Sequence, residues 1–386
     1  MRSIATSPHF PVVRQMRRDA RAIVEDMLAL ADIRINGARP WDIRVHRPEF
    51  FQRVIGHGSL GLGESYMDGD WDVEQLDGFF HRVFLARLDP CVKSPRLLAA
   101  WLMARLTNRQ SRSRAWRVGK THYDLGNGFM RAMIGPSMTY SCGYWRNAGT
   151  LEEAQHAKLD LICRKLQLKP GMRLLDVGCG WGALMAHAAV RHGAHCTGIT
   201  VSREQADHIR TNHADQRVEV ELRDYRGLDG TYDRIASVGM FEHVGRKNHR
   251  DFMRVIHRCL ADDGIFLLHT IGRNQRGGIT DPWIDKYIFP NGELPSLNDI
   301  ASAANGLFVT EDLHNIGADY DRTLMAWHRN FEAAWPSHAD QMGGRFHRMW
   351  RYYLLSCAGA FRARAMQVWQ WTLTKHGMPD GCLRVA

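Results

Sequence analysis

The chain has 386 residues, 45% of them hydrophobic and 24% charged, which suits a folded protein with room for two domains. Its net charge of +10 is uneven, because residues 1–120 hold 20 Lys and Arg against 13 Asp and Glu. This composition excludes a low-complexity chain, and no apolar run approaches the ~20 residues a membrane span needs.

Met1 to Arg18 mixes Arg, His and Pro without a secretory pattern, so a cytoplasmic protein is expected. Asp19 to Ala31 reads as a helix. Ile33-Arg34-Ile35 and Ile43-Arg44-Val45 read as short strands around an Asn36-Gly37 turn, and Gly56, Gly58, Gly61 and Gly63 then punctuate a loop. Residues 1–92 are thus expected to form a small α+β domain with no catalytic signature.

Residues 93–120 read as a connector. Leu97 to Leu106 is almost wholly apolar, and the segment carries Lys93, Arg96, Arg105, Arg109, Arg112, Arg114, Arg117 and Lys120 without an acid. Two readings stand: a buried linker helix with a solvated basic tail, or a surface that docks on anionic lipid at up to ~1 kcal/mol per basic residue. An anionic partner of the nucleic-acid class finds no base-methylating NPPY motif to support it. The eight scattered cysteines form no CxxC pair and read as reduced thiols. His187, His192 and His195 lack any HExxH context, so a solvated helix end is expected there and no metal.

From about residue 150 strands alternate with helices, as in a doubly wound α/β sheet. Arg173 to Val177, His195 to Thr200, Val218 to Leu222, Tyr232 to Val238 and Ile265 to Thr270 are strand-like, and Met366 to Leu373 reads as a late edge strand. The first strand runs into Gly178-Cys179-Gly180-Trp181-Gly182, a turn that lets a ligand approach the backbone and meet the free amides of a helix start. Preceded by Leu175-Asp176-Val177, this loop resembles motif I of class I S-adenosylmethionine methyltransferases, and the likeness puts the amino-acid end of the cofactor over Gly178 and Gly180. The second strand ends at Thr200 without a carboxylate, leaving Ser202, Glu204 and Gln205 for the ribose. Asp224 and Tyr225 follow the third strand, suitably placed to contact adenine; the other reading of Asp224 is a helix cap.

Longer blocks carry a closer likeness. His122–Asn127, Tyr140–Cys142, Gly239–Gly245, Leu267–Gly272, Trp283–Gly292, Gly317–Asp321 and Ser356–Arg362 resemble the cyclopropane fatty acid synthase family, from about Lys120 to the carboxyl end. The resemblance implies a catalytic domain over 121–386, S-adenosylmethionine as cofactor, and phospholipid acyl chains as substrate at the inner face of the cytoplasmic membrane. It is also compatible with a homodimer. Tyr140 and Ser141 then join Gly178, Gly180, Thr200, Gln205, Asp224 and Tyr225 around the cofactor.

An alkene is a weak nucleophile with no proton to remove, so methyl transfer to it needs a dry, aligned pocket. The resulting carbocation suits aromatic neighbours, and ring closure then needs a base. In the family a bound bicarbonate is taken to be that base, and the matching residues here are Cys142, Glu242, His269, Ile271 and Tyr320. Glu242 as the base itself is the alternative. Cys357 enters as a site candidate through the resemblance alone, as a thiol near the pocket. The rival product is a methyl- or methylene-branched chain from the same carbocation.

Overall fold

The computed structural model describes residues 19–88, 126–213, 217–277 and 280–382. The basic stretch 93–120, and with it the lipid-docking expectation, lies outside the described residues.

The Asp19 carboxylate accepts the Arg21 N–H at 3.4 Å and opens the helix Ala20–Leu30 where the sequence places it. The hairpin expected next does not form. Ile35 and Ile43 share one isolated bridge, and β1 (Arg44–Val45) instead pairs antiparallel with β2 (Trp71–Asp72). Asp42 is the cause. Its buried carboxylate accepts the Arg34 and Arg39 N–H groups at 2.8 and 3.0 Å, which folds the intervening residues into a loop.

The glycine stretch is helical rather than a loop. Glu49–His57 and Ser59–Met67 are helices that meet at Gly58, whose φ of 59° breaks the run. Gly61 and Gly63 serve close approach: a Cβ on Gly61 would sit 2.0 Å from the Arg53 carbonyl oxygen, and one on Gly63 would sit 2.3 Å from Trp283 Cδ1. Gly63→Ala is expected to lower stability by about 1–3 kcal/mol, as overpacking does. Chemical denaturation reads this as a lower midpoint, and an unchanged midpoint would contradict the contact.

The main sheet contains β3 (Arg173–Val177), β4 (His195–Thr200), β5 (Val218–Leu222), β6 (Tyr232–Val238), β7 (Leu260–Arg273), β8 (Val309–Asn315) and β9 (Met366–Thr374). Their order is β5-β4-β3-β6-β7-β9-β8, with β9 antiparallel to both neighbours. The strands expected from the sequence are present. The correction concerns the edge: β9 lies inside the sheet and is buried along nearly all its length, while β8 covers it.

The helix Ala339–Arg362 lies across the amino-terminal helices. A Cβ on Gly359 would meet the Asp77 carbonyl and the His81 nitrogen at 2.7 Å, so the backbones touch. Arg362 bonds Asp77 at 2.6 Å and Asp321 at 2.9 Å, and Arg348 bonds Asp72 at 2.7 Å. The amino-terminal region therefore shares one apolar core with the sheet-bearing part, including Phe50, Trp71, Phe79, Trp283 and Trp350. No helix among the described residues is long and apolar enough to cross a membrane.

Candidate active site

The carboxyl ends of β3, β4, β6 and β7 face a largely apolar cavity of about 1630 Å³. A small-molecule pocket spans ~300–1,000 Å³, so this one has room for a cofactor and a long chain together. Of the site residues expected from the sequence, Tyr140, Ser141, Gly178, Gly180, Thr200, Ser202, Gln205, Asp224 and Tyr225 line it, as do Cys142, Glu242, His269, Ile271, Tyr320 and Cys357; Glu204, offered for the ribose, does not and is exposed.

Gly178 and Gly180 turn with φ of 84° and 56° at the end of β3. A Cβ on Gly178 would meet Met240 at 2.6 Å, whereas one on Gly180 would point into open space. That second glycine leaves room for a ligand to lie against bare backbone. The Gly178 and Cys179 amides donate to the Ile199 carbonyl, which fixes the loop on β4. The Thr200 hydroxyl donates to Gln205 Oε1 at 2.7 Å, so that side chain is held at the cavity wall. Asp224 caps the turn after β5, accepting the Arg226 N–H at 2.9 Å, and pairs with the Arg226 guanidinium. Asp224 is thus the cap that the sequence allowed, and it also lines the cavity. The Tyr225 ring packs edge-on against Phe252, and its buried hydroxyl has no partner.

At the other end of the cavity, Glu242 sits on a short turn after β6. Its Oε1 accepts the Ile271 N–H at 2.6 Å, while Oε2 is buried without a partner. Burial raises its carboxyl to about 7, against the hydrogen bond from Ile271. The Ile271 amide is thereby engaged with Glu242. His269 is fully enclosed and held neutral, because burial lowers its pKa well below the ordinary value. Gln370 from β9 approaches its Nδ1 at 3.3 Å. Tyr320 has its phenol pKa pushed up by burial, with Cys142, Tyr140, Glu242 and Cys357 all close enough to add to the effect. Burial also lifts the Cys142 thiol well above its usual range and the Cys357 thiol to about 12, so neither is a thiolate.

Several residues at the site escaped the sequence reading. Lys158 is buried and donates to Ser141 Oγ at 3.0 Å; burial lowers its pKa to about 7. Asp176 stands nearby, its carboxyl raised by burial to about 7 and opposed by Lys158. Gln155 holds the Ser141 carbonyl at 2.9 Å, and Tyr353 shares a 2.8 Å hydrogen bond with Tyr140. The amino-terminal region, read as free of catalytic signature, supplies an apolar wall through Val24, Leu28, Phe50, Phe79 and Phe80.

His187 and His192 are a further departure from expectation. Both are half-buried beside Cys163 rather than solvated, although His192 does end its helix, and only His195 is exposed.

The sheet order and the glycine loop facing its carboxyl edge define a class I S-adenosylmethionine-dependent methyltransferase. Residues 110–371 match the family model described as mycolic acid cyclopropane synthetase. The chain belongs to that cyclopropane synthetase family. It is 52% identical over 368 residues to cyclopropane-fatty-acyl-phospholipid synthase from Escherichia coli strain K12, covering 94% of this chain and 95% of that one. The cyclopropane synthase MmaA2 from Mycobacterium tuberculosis superposes with a TM-score of 0.64 at 34% identity, over 67% of this chain and 98% of that one. The mycolic acid cyclopropane synthase CmaA1, complexed with SAH and CTAB, gives 0.63 at 35% identity, again over 67% and 98%.

Proposed function

We propose that the chain transfers a methylene unit from S-adenosylmethionine to the cis double bond of unsaturated phospholipid acyl chains, forming a cyclopropane ring. One observation carries the reading: a bare glycine loop and a buried carboxyl with an unpartnered oxygen face the same apolar cavity. When bound, S-adenosylmethionine supplies the electrophilic methyl, whose addition to an alkene leaves a carbocation that closes to a ring on losing a proton. The residues around it exclude water and orient the chain. Tyr320, edge-on to Trp327 at 5.8 Å and against Phe361 at 4.7 Å, presents an aromatic face where positive charge develops.

The proton is removed at the Glu242 end of the cavity. The residues there fit a small anion such as bicarbonate: the Tyr320 phenol stays protonated, and neutral His269, whose Nδ1 faces the Gln370 amide, has its other ring nitrogen to offer as an N–H donor. At a pKa of about 7, Glu242 can hold the proton that turns its free oxygen into a donor. Bound bicarbonate would supply the base. Residues 1–92 and 93–120 bring the acyl chain from the anionic face of the membrane, and residues 121–386 perform the chemistry; the apolar wall from Val24 to Phe80 supports this division.

The proton acceptor is tested in carbonate-free buffer with the full chain, S-adenosylmethionine and vesicles of unsaturated phospholipid. Ring formation is expected to fall and to return when bicarbonate is added. A rate indifferent to bicarbonate would leave Glu242 as the base and remove the anion from the account.

A further inference from the structure

Cys163 and the pair His187 and His192 lie on adjacent helices, Leu151–Lys165 and Ala183–His192, and none of the three lines the cavity. The Cys163 sulfur and one nitrogen from each imidazole lie within 4.8 Å of one another. We infer that these three residues form a binding site for a thiolate-seeking divalent cation of the Zn²⁺ class, which staples the two helices together.

The donor set points to that class of ion. Thiolate and imidazole nitrogen favour borderline-soft cations over the oxygen-seeking Mg²⁺ and Ca²⁺. With Zn–S of ~2.3 Å and Zn–N of ~2.0–2.1 Å, tetrahedral ligands stand roughly 3.3–3.6 Å apart. Drawing the three atoms together asks for about 1 Å of movement or slightly more, within reach of a rotation of His192 in the last turn of its helix.

A second observation also points to a ligand. Nε2 of His187 and Nε2 of His192 are both buried without a hydrogen-bond partner. Buried polar nitrogens are ordinarily satisfied, and two such atoms beside one thiol suggest a shared partner. Burial holds His187 at about 4, so its ring is neutral and its lone pair free at physiological pH. Cys163 is pushed upward by burial and stays a thiol on its own. Metal binding would release that proton to solvent as the metal–sulfur bond forms. Asp160, one turn before Cys163 and paired with Arg164 at 2.8 Å, adds negative charge that acts on both Cys163 and His187 and favours a cation there.

The site bears on the cofactor without touching it. One of its helices carries Lys158 on the cavity side, and the other begins directly after the glycine loop. A cation joining them would stiffen the back of the cofactor loop.

The test uses the full chain, stripped with a chelator and titrated with Zn²⁺ against a chromophoric competitor. The wild-type protein is expected to take up one equivalent more than His187→Gln or His192→Gln, with Zn²⁺ affinity weakened at least roughly tenfold to hundredfold in each variant. Replacing Zn²⁺ by Co²⁺ should give a thiolate charge-transfer absorption that is missing in Cys163→Ser. The histidine variants, altered at half-buried positions, keep the test open should Cys163→Ser fail to fold. Equal uptake by wild type and histidine variants, or no thiolate band in the wild type, would overturn the site.

Discussion

Glu242→Gln is expected to remove ring formation, with turnover falling about 10²–10⁴-fold, the range for loss of general acid–base function. The substitution keeps the shape of the side chain and an oxygen to accept the Ile271 N–H, so cofactor and lipid affinity should hold. What it removes is the ability to gain and lose a proton. Activity of the wild type should therefore fall as pH rises through about 7, where the Glu242 carboxyl ionises and its free oxygen no longer donates to the anion, and the variant should show no such limb. A loss below tenfold would contradict the role assigned to Glu242.

The same ionisation also governs stability. Its folded pKa is raised from 4.5 to about 7, so between those values the folded state keeps a proton that the unfolded chain has released. Stability on this account is full below about 4.5, declines as pH rises to about 7 and remains lower above it. The difference is about 3 kcal/mol. Glu242→Gln should escape it, unfolding later than wild type at pH above 7 and alike near 4.5. An inactive variant of greater stability at neutral pH is the signature of a carboxyl kept buried for chemistry.

The second large effect is expected at Gly180. Its φ of 56° and the open space beside it mean that a side chain there would occupy the place of a ligand on the loop. Gly180→Val should weaken S-adenosylhomocysteine binding about 100-fold, because its side chain would fill the open space beside the loop. Left-handed backbone strain adds about 1–2 kcal/mol of instability. Gly171→Val controls for that strain: Gly171 also has a positive φ of 84° and open surroundings, but it lies outside the cavity. Calorimetric titration should find affinity lost in the first variant and kept in the second. Equal affinities would move the cofactor away from this loop.

The sheet was legible in the sequence wherever a strand had both an apolar run and a turn after it. Arg173–Val177 and Tyr232–Val238 are such strands, and both stand where they were placed. The strand Val309–Asn315 was missed because Thr310, Glu311, Asp312 and His314 give a polar edge the look of a loop. Its partner Met366–Thr374 was in turn misread as the edge, since an apolar alternation does not say which strand lies beyond it. The glycines at 56–63 were misread for a related reason: Gly63 is small because Trp283 approaches it, a contact 220 positions away in the chain. At the site, the glycine loop and Glu242 were legible through motifs. Lys158 and Gln370 were not, because each takes its meaning from a partner on another element: Ser141 for the first, His269 for the second.

The most direct measurement is on the lipid product. The purified full chain is incubated with S-adenosylmethionine and vesicles of cis-monounsaturated phospholipid, and the acyl chains are examined by mass spectrometry and proton NMR. The account expects chains heavier by one CH₂, with the olefinic signal replaced by cyclopropyl protons. Chains heavier by CH₂ and two further hydrogens, a methyl branch, or chains left unchanged would contradict it.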